Sequence, residues 1–274
     1  MKNTELEIEI ERLKTLSTTL DHKKCVSIYK SRLQQDLSNI PILKPLLVVV
    51  LNGCKIVGNE TKVACNVGNF VFFTDVQTMN MRNIPANTNY LAVLVEFEFS
   101  DFDNNLINNT NRSETYTFGN ANSSLYKCIS QLIECLDWAT EDIIENRRKE
   151  IINLLVSSGY QNLAHLPNQK KTTQKVIEIF KKNDNKKITI DDVSKEICMS
   201  KATLYRKLKF EGENIQKIKE KVLMGRALHL LQTSSLSTEH VATMVGYSST
   251  ARFSQRFRAY FGLSPKELKN TKRH

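Results

Sequence analysis

The residues best equipped for chemistry lie in two short stretches near the end of the chain. One holds Lys201, Ala202, Thr203, Tyr205, Arg206 and Lys207; the other holds Thr250, Ala251, Arg252, Ser254, Gln255 and Arg256. Ammonium and guanidinium groups neutralise phosphates, while hydroxyls, amides and the arginine fork match the edges of bases. The chemistry on offer is recognition of a polyanion rather than bond-making. Catalysis has poorer material. The histidines are His22, His165, His229, His240 and His274, so none falls between 23 and 164, where a metal-binding barrel or a Ser/His/Asp or Cys/His site would need one. Glu96 and Glu98 share a strand face, a spacing that a hairpin salt bridge explains. The six cysteines contain no C-x-x-C pair and read as reduced, buried small hydrophobes; Cys128 and Cys135, seven apart on one helix face, come nearest to a redox pair. No enzyme, cofactor or metal is expected.

Charge separates the chain into two parts. Residues 1–166 carry 16 Lys/Arg against 19 Asp/Glu, whereas residues 167–274 carry 23 against 10. A slightly acidic body joined to a strongly basic piece implies a polyanion partner for the basic piece alone. Length, at 274 residues, suits two domains. No apolar run approaches the roughly 20 residues of a membrane span, and the charged first twenty residues lack a secretory h-region, so a cytoplasmic chain with no membrane contact is expected.

Periodicity supplies the elements that must position these residues. Leu6, Ile10, Leu13, Leu16 and Leu20 form a helical stripe that fits docking on its own domain better than a short dimer coil. From residue 46 the period turns to strand: Leu46–Leu51, Cys54–Val57, Lys62–Asn66, Phe70–Thr74 and Tyr90–Phe99, with turns at Asn52-Gly53 and Val67-Gly68-Asn69 and a loop at 83–89. Short strands at this spacing predict a small barrel or sandwich. Asp103–Arg112 reads as an exposed loop, and Ser123–Ala139 and Glu141–Ser157 as helices. Everything after the boundary at 166/167 reads as helix.

Within that basic piece, Thr189, with Asp192 three residues on, caps Ile190–Ile197; Cys198-Met199-Ser200 breaks it, and Ser200 caps Lys201–Phe210. A second copy starts at Ser237, stops at Gly246 and restarts at Ser249, which caps Thr250–Tyr260. Each is a helix, a tight turn and a helix, the arrangement of a DNA-binding unit. Asn214–Thr233 between them, at 1.5 Å per residue, spans roughly 30 Å, close to the distance between successive major-groove faces. Two basic, capped copies on one chain imply double-stranded DNA as the partner.

The segment Val245-Gly246-Tyr247-Ser248-Ser249-Thr250-Ala251-Arg252-Phe253-Ser254-Gln255-Arg256-Phe257, continuing through Phe261-Gly262-Leu263-Ser264-Pro265, resembles the signature of the AraC/XylS family of bacterial transcription regulators. Val193, Leu204, Arg206, Leu208 and Gly212 agree with the family's first unit. The pattern departs at Arg252, where an aromatic is usual, and at Gln255, where arginine is usual. The resemblance implies base and phosphate contacts from Ala202, Tyr205 and Arg206 and from Thr250, Ala251, Arg252 and Gln255. It also implies an activator that helps RNA polymerase engage a promoter. Val67-Gly68-Asn69-Phe70-Val71-Phe72-Phe73 is similar to the barrel element that precedes such domains. The expected fold is therefore α+β: an N-terminal cupin-like β-barrel with helices for effector binding, homodimerisation or both, then an all-α domain with two helix-turn-helix units. In the family's virulence-gene branch a fatty acid is held between the domains by lysines, which here implies Lys44 and Lys217 or Lys221. The alternative is control by a regulatory protein instead of a small hydrophobic effector. A third reading, an alkyl-transfer repair enzyme, needs a reactive cysteine in an electropositive setting, and no cysteine is flanked that way.

Overall fold

The computed structural model describes residues 2–20, 22–58, 60–75, 77–102, 116–164, 171–183 and 188–272. The expected loop at Asp103–Arg112 and the domain boundary at 166/167 lie outside the described residues.

The first part of the chain contains α1 (Lys2–Thr19), β1 (His22–Lys23), β2 (Val26–Ser31), β3 (Gln35–Ile42), β4 (Leu46–Asn52), β5 (Cys54–Val57), β6 (Val63–Asn66), β7 (Asn69–Phe73), β8 (Gln77–Ile84), β9 (Tyr90–Glu96), β10 (Tyr116–Asn120), α2 (Ser123–Cys135) and α3 (Glu141–Ser157). The strands form two antiparallel sheets, in the orders β1-β2-β9-β4-β7-β10 and β3-β8-β5-β6. The apolar runs in β4, β7 and β9 are uninterrupted because both of their faces are covered. Leu47, Val49, Leu51, Phe70, Phe72, Val93 and Val95 pack with Ile10 and Leu13 of α1, Leu125, Ile129 and Leu132 of α2, and Ile144, Ile151 and Leu155 of α3. The alternate residues Val48, Val50, Val71, Phe73, Ala92 and Leu94 meet Val57, Met79 and Met81 of the second sheet. The leucine stripe of α1 thus docks on its own domain. A bidentate ion pair, Arg148 Nε to Asp101 Oδ2 at 2.6 Å and Arg148 Nη2 to Asp101 Oδ1 at 3.1 Å, ties α3 to the end of the sheet.

The C-terminal part is helical throughout: α4 (Thr172–Lys182), α5 (Ile190–Glu196), α6 (Lys201–Phe210), α7 (Ile215–Thr233), α8 (Thr238–Met244), α9 (Thr250–Phe261) and α10 (Pro265–Asn270). α7 is the spine. Its residues Ile215, Ile218 and Val222 enter one core with α4, α5 and α6, and Met224, Ala227, Leu228 and Leu231 enter another with α8, α9 and α10. A helix that is apolar around most of its circumference must be buried on several sides. Here the remaining side lies against the sheets. Gly225 permits that approach, since a Cβ there would stand 3.0 Å from Cγ of Pro41 in β3. β3 is an edge strand, and α7 and α9 cover it.

Among the described residues no helix is long and apolar enough to cross a membrane, and no cluster of three or more His, Cys, Asp or Glu side chains could hold a metal ion.

Candidate nucleic-acid interface and interdomain cavity

Each exposed helix of the C-terminal part is set by a cap at its start and an apolar pair on its inner face. In the first unit the Thr189 hydroxyl accepts from Asp192 N while the Asp192 carboxylate accepts from Thr189 N, at 2.8 Å, completing a capping box. The turn closes through Cys198 in the left-handed region, at φ 58°, with Met199 N donating to Ser194 O at 3.0 Å. Ser200 Oγ then accepts from Thr203 N, and Leu204 and Leu208 are fully buried. One face of α6 is used up inward, so Lys201, Ala202, Tyr205, Arg206 and Lys207 are exposed, and Thr203 is half-buried with its hydroxyl against Ser200 Oγ at 2.9 Å.

The second unit repeats the design with one substitution in the turn. Gly246, at φ 86°, occupies the place of Cys198, and Tyr247 N donates to Ala242 O at 2.9 Å. Ser249 caps α9, whose Phe253, Phe257 and Phe261 stack inward with ring centroids 5.7 and 4.6 Å apart. Ala251, Arg252, Gln255 and Arg256 are exposed, and Thr250 and Ser254 are half-buried. Not every cation is equally available. Lys201 pairs with Asp191 at 2.6 Å, and Arg256 is held by Glu220 of α7. Arg206, Lys207 and Arg252 have no carboxylate partner among the described residues.

Where α7 crosses the mouth of the two sheets there is a cavity of about 330 Å³. Tyr29, Ile42, Met81 and Leu94 line it from the strands, and Val222, Leu228 and His229 line it from α7. His229 stands edge-on to His22, ring centroids 4.4 Å apart, and Burial, reinforced by His22, lowers its pKa to about 4. Of the three lysines expected at an effector site, Lys44 does line the cavity, where it is paired with Glu98. Lys217 and Lys221 do not. From α7 the lining comes from Val222, Gly225, Arg226, Leu228 and His229, in its middle and second half. Lys221 is held by Glu213, and Lys217 is exposed.

Three other lysines line the cavity instead, Lys24 of the β1–β2 turn among them. Lys181 arrives from the last turn of α4, its pKa lowered by burial. Lys55 sits on β5 and is 3% exposed. Alternation could have flagged Lys55, because it shares a strand face with the inward-pointing Val57. A buried polar chain leads away from it. Lys55 Nζ donates to Asn83 Oδ1 at 2.7 Å, and Asn83 Nδ2 donates to Gln35 Oε1 at 2.9 Å. Gln232 Nε2 of α7 reaches the same Gln35 oxygen at 3.1 Å, and Gln35 Nε2 donates to Thr271 Oγ1, past the end of α10, at 2.7 Å.

Residues 193–271 match the model of a helix-turn-helix domain family. The transcriptional activator PerA of Escherichia coli O127:H6 is 25% identical over 122 residues, which is 44% of this chain and 41% of that protein. The virulence regulon transcriptional activator VirF of Shigella flexneri is 27% identical over 96 residues, 35% of this chain and 37% of its own. The chain thus spans less than half the length of these curated relatives. Among solved structures, unsaturated fatty acid bound wild-type ToxT from Vibrio cholerae strain SCE256 superposes with a TM-score of 0.65 over 92% of this chain and 97% of that one, at 11% identity. The two share a fold: a β-rich N-terminal domain of two sheets followed by a helical helix-turn-helix domain.

Proposed function

Starting from a C-terminal domain that is a helix-turn-helix domain of the AraC type, we propose that this chain is a transcription activator that reads duplex DNA with α6 and α9. The observation that carries the reading is the pair of capped, outward-facing basic helices joined by one continuous 19-residue helix. That spine is roughly 28 Å long at 1.5 Å per residue, so the two helices can enter adjacent major grooves on one side of the duplex. Tyr205, Arg206, Arg252 and Gln255 contact bases. Lys201, Thr203, Lys207, Thr250, Ser254 and Arg256 contact phosphates and sugars, and Ala202 and Ala251 keep the approach close. Bound at a promoter, the protein assists RNA polymerase. On this reading the sequence divides at 166/167, with the net positive charge on the DNA-binding side.

The same reading gives the first domain an effector role. A cavity of about 330 Å³ between sheets and spine falls at the lower end of small-ligand sites and is walled mainly by aliphatic residues. A fatty acid or a similar amphiphile fits that lining, and the fatty-acid-bound protein above has this fold. Footprinting tests the DNA reading: protection of about two helical turns on one face is expected, with affinity falling steeply as salt rises. Protection of a single turn would remove the second unit from the account.

A further inference from the structure

We propose that Lys55 is the anchor for an anionic ligand in the interdomain cavity, so that an amphiphile with a carboxylate enters head first and leaves its tail toward the α7 side. The inference rests on the effector reading above and adds which residue holds the ligand and in which direction it lies.

The case begins with an unmet need. An ammonium carries three N–H donors, and at Lys55 one of them is satisfied among the described residues, by Asn83 Oδ1 at 2.7 Å. No carboxylate pairs with it among those residues. Its other neighbours are the Tyr90 ring, with the centroid 5.7 Å from Nζ, and the thiols of Cys54 and Cys65. A cation buried to this degree is costly unless an anion meets it. Burial accordingly lowers its pKa to about 8.

The cations nearer α4 and α7 are already engaged. Lys44 is held by Glu98, Lys24 donates to Ala139 O at 3.0 Å, Lys181 lies in the field of Glu96 and Glu98, and Arg226 of α7 is not without a partner. An incoming carboxylate there meets acidic competitors. At Lys55 it meets none, and Ile42, Met81 and Leu94 offer apolar wall for the first carbons of its chain.

Isothermal titration with dodecanoate and with 1-dodecanol, both below their aggregation limits, tests the assignment. The full-length protein should bind the acid at least about tenfold more tightly than the alcohol. Lys55→Met should abolish that preference while keeping the alcohol affinity, which reports that the cavity is intact. Lys55→Arg should retain the preference, and Lys181→Met should leave it. If Lys55→Met keeps the preference, or Lys181→Met removes it, the anchor is elsewhere and the proposal fails. Equal binding of acid and alcohol by the unmodified protein also overturns the anchor, yet leaves a hydrophobic effector standing. Binding of neither overturns the effector reading together with this one.

Discussion

The two helix-turn-helix units share a plan but not a foundation. The first is packed almost wholly against helices: Val176, Ile177 and Phe180 of α4, Val193 of α5 and Ile218 of α7 enclose Leu204 and Leu208, with Leu43 half-buried at the margin. The second shares its core with the sheet domain, because Leu37 of β3 is buried among Phe253, Phe257 and Phe261. Asn39 Nδ2 also donates to Tyr260 O at 3.1 Å, and the backbone N–H groups of Arg32 and Leu33 donate to Thr271 O at 2.7 and 3.1 Å. The second unit is therefore built partly out of the first domain. What happens in the sheets reaches α9 directly and α6 through α7 and the α4 contacts, such as the Lys171–Asp75 pair.

The largest test of this contrast is a pair of core truncations. Phe257→Ala should cost about 3–5 kcal/mol and Leu208→Ala about 2–5 kcal/mol. Hydrogen exchange should show β3 losing protection in the first variant and keeping it in the second. Equal loss in both would erase the distinction.

Acid should loosen the barrel side of α7. The folded-state pKa of His229 lies below its unfolded value, at about 4, so the unfolded chain binds more protons between those limits. Stability is then complete above about pH 6.5 and falls as pH drops toward 4, by up to about 3 kcal/mol. The groups facing this imidazole are His22, Tyr29, Glu96 and Lys181. Urea midpoints across that range should drop less in His229→Gln than in the unmodified protein.

On DNA, Arg206→Ala and Arg252→Ala should each weaken specific binding by roughly 1–3 kcal/mol. A fluorescence titration on a protected site would measure both, and loss confined to Arg206 would mean the second unit only positions the first. The smallest expected effect concerns the turns. Gly246→Ala should lose about 1–2 kcal/mol to the left-handed backbone alone, since no atom lies within 4 Å of the added Cβ. Cys198→Gly should gain less than about 1 kcal/mol. Thermal melts that moved the other way would show that the two turns are not equivalent.

The helical half of this fold was legible because its signals are local. Ser200, Ser237, Ser249 and Gly246 each act within a few residues, and the boundaries they predict agree with the helices observed to within about a turn. Strands with both faces covered, such as β4 and β9, were equally visible as apolar runs. β1, β2, β3, β8 and β10 were not. β3 contains Gln35, Asp36, Asn39 and Pro41, and β8 alternates Met79 and Met81 with Asn80 and Arg82 and runs on through Ile84, into the expected 83–89 loop. β8 and β10 are strands through their pairing, and β3 through its pairing and the α7 and α9 cover, none of which is a local property. The candidate contacts on α6 and α9 follow from helical period and could be named in advance, whereas the partners that occupy Lys201 and Arg256 come from other elements. Of the lysines expected at the cavity, Lys44 lines it and Lys217 and Lys221 do not. Lys44 adjoins a strand start that could be placed, but which part of α7 meets the sheets is set by tertiary packing, and the lining begins at Val222, past Lys217 and Lys221.

The chain of amides from Asn83 through Gln35 to Gln232 crosses the seam between the sheets and α7. Were α7 to slide along β3 by a residue, the Asn83–Gln35 bond would stay within the sheet, but Gln232 Nε2 would lose the Gln35 oxygen in a dry environment, at about 1–3 kcal/mol. Intermediate alignments are thereby made unprofitable, and the two halves are left with a seated arrangement or a parted one. A contact of that kind behaves as a latch with two positions, not as a dial.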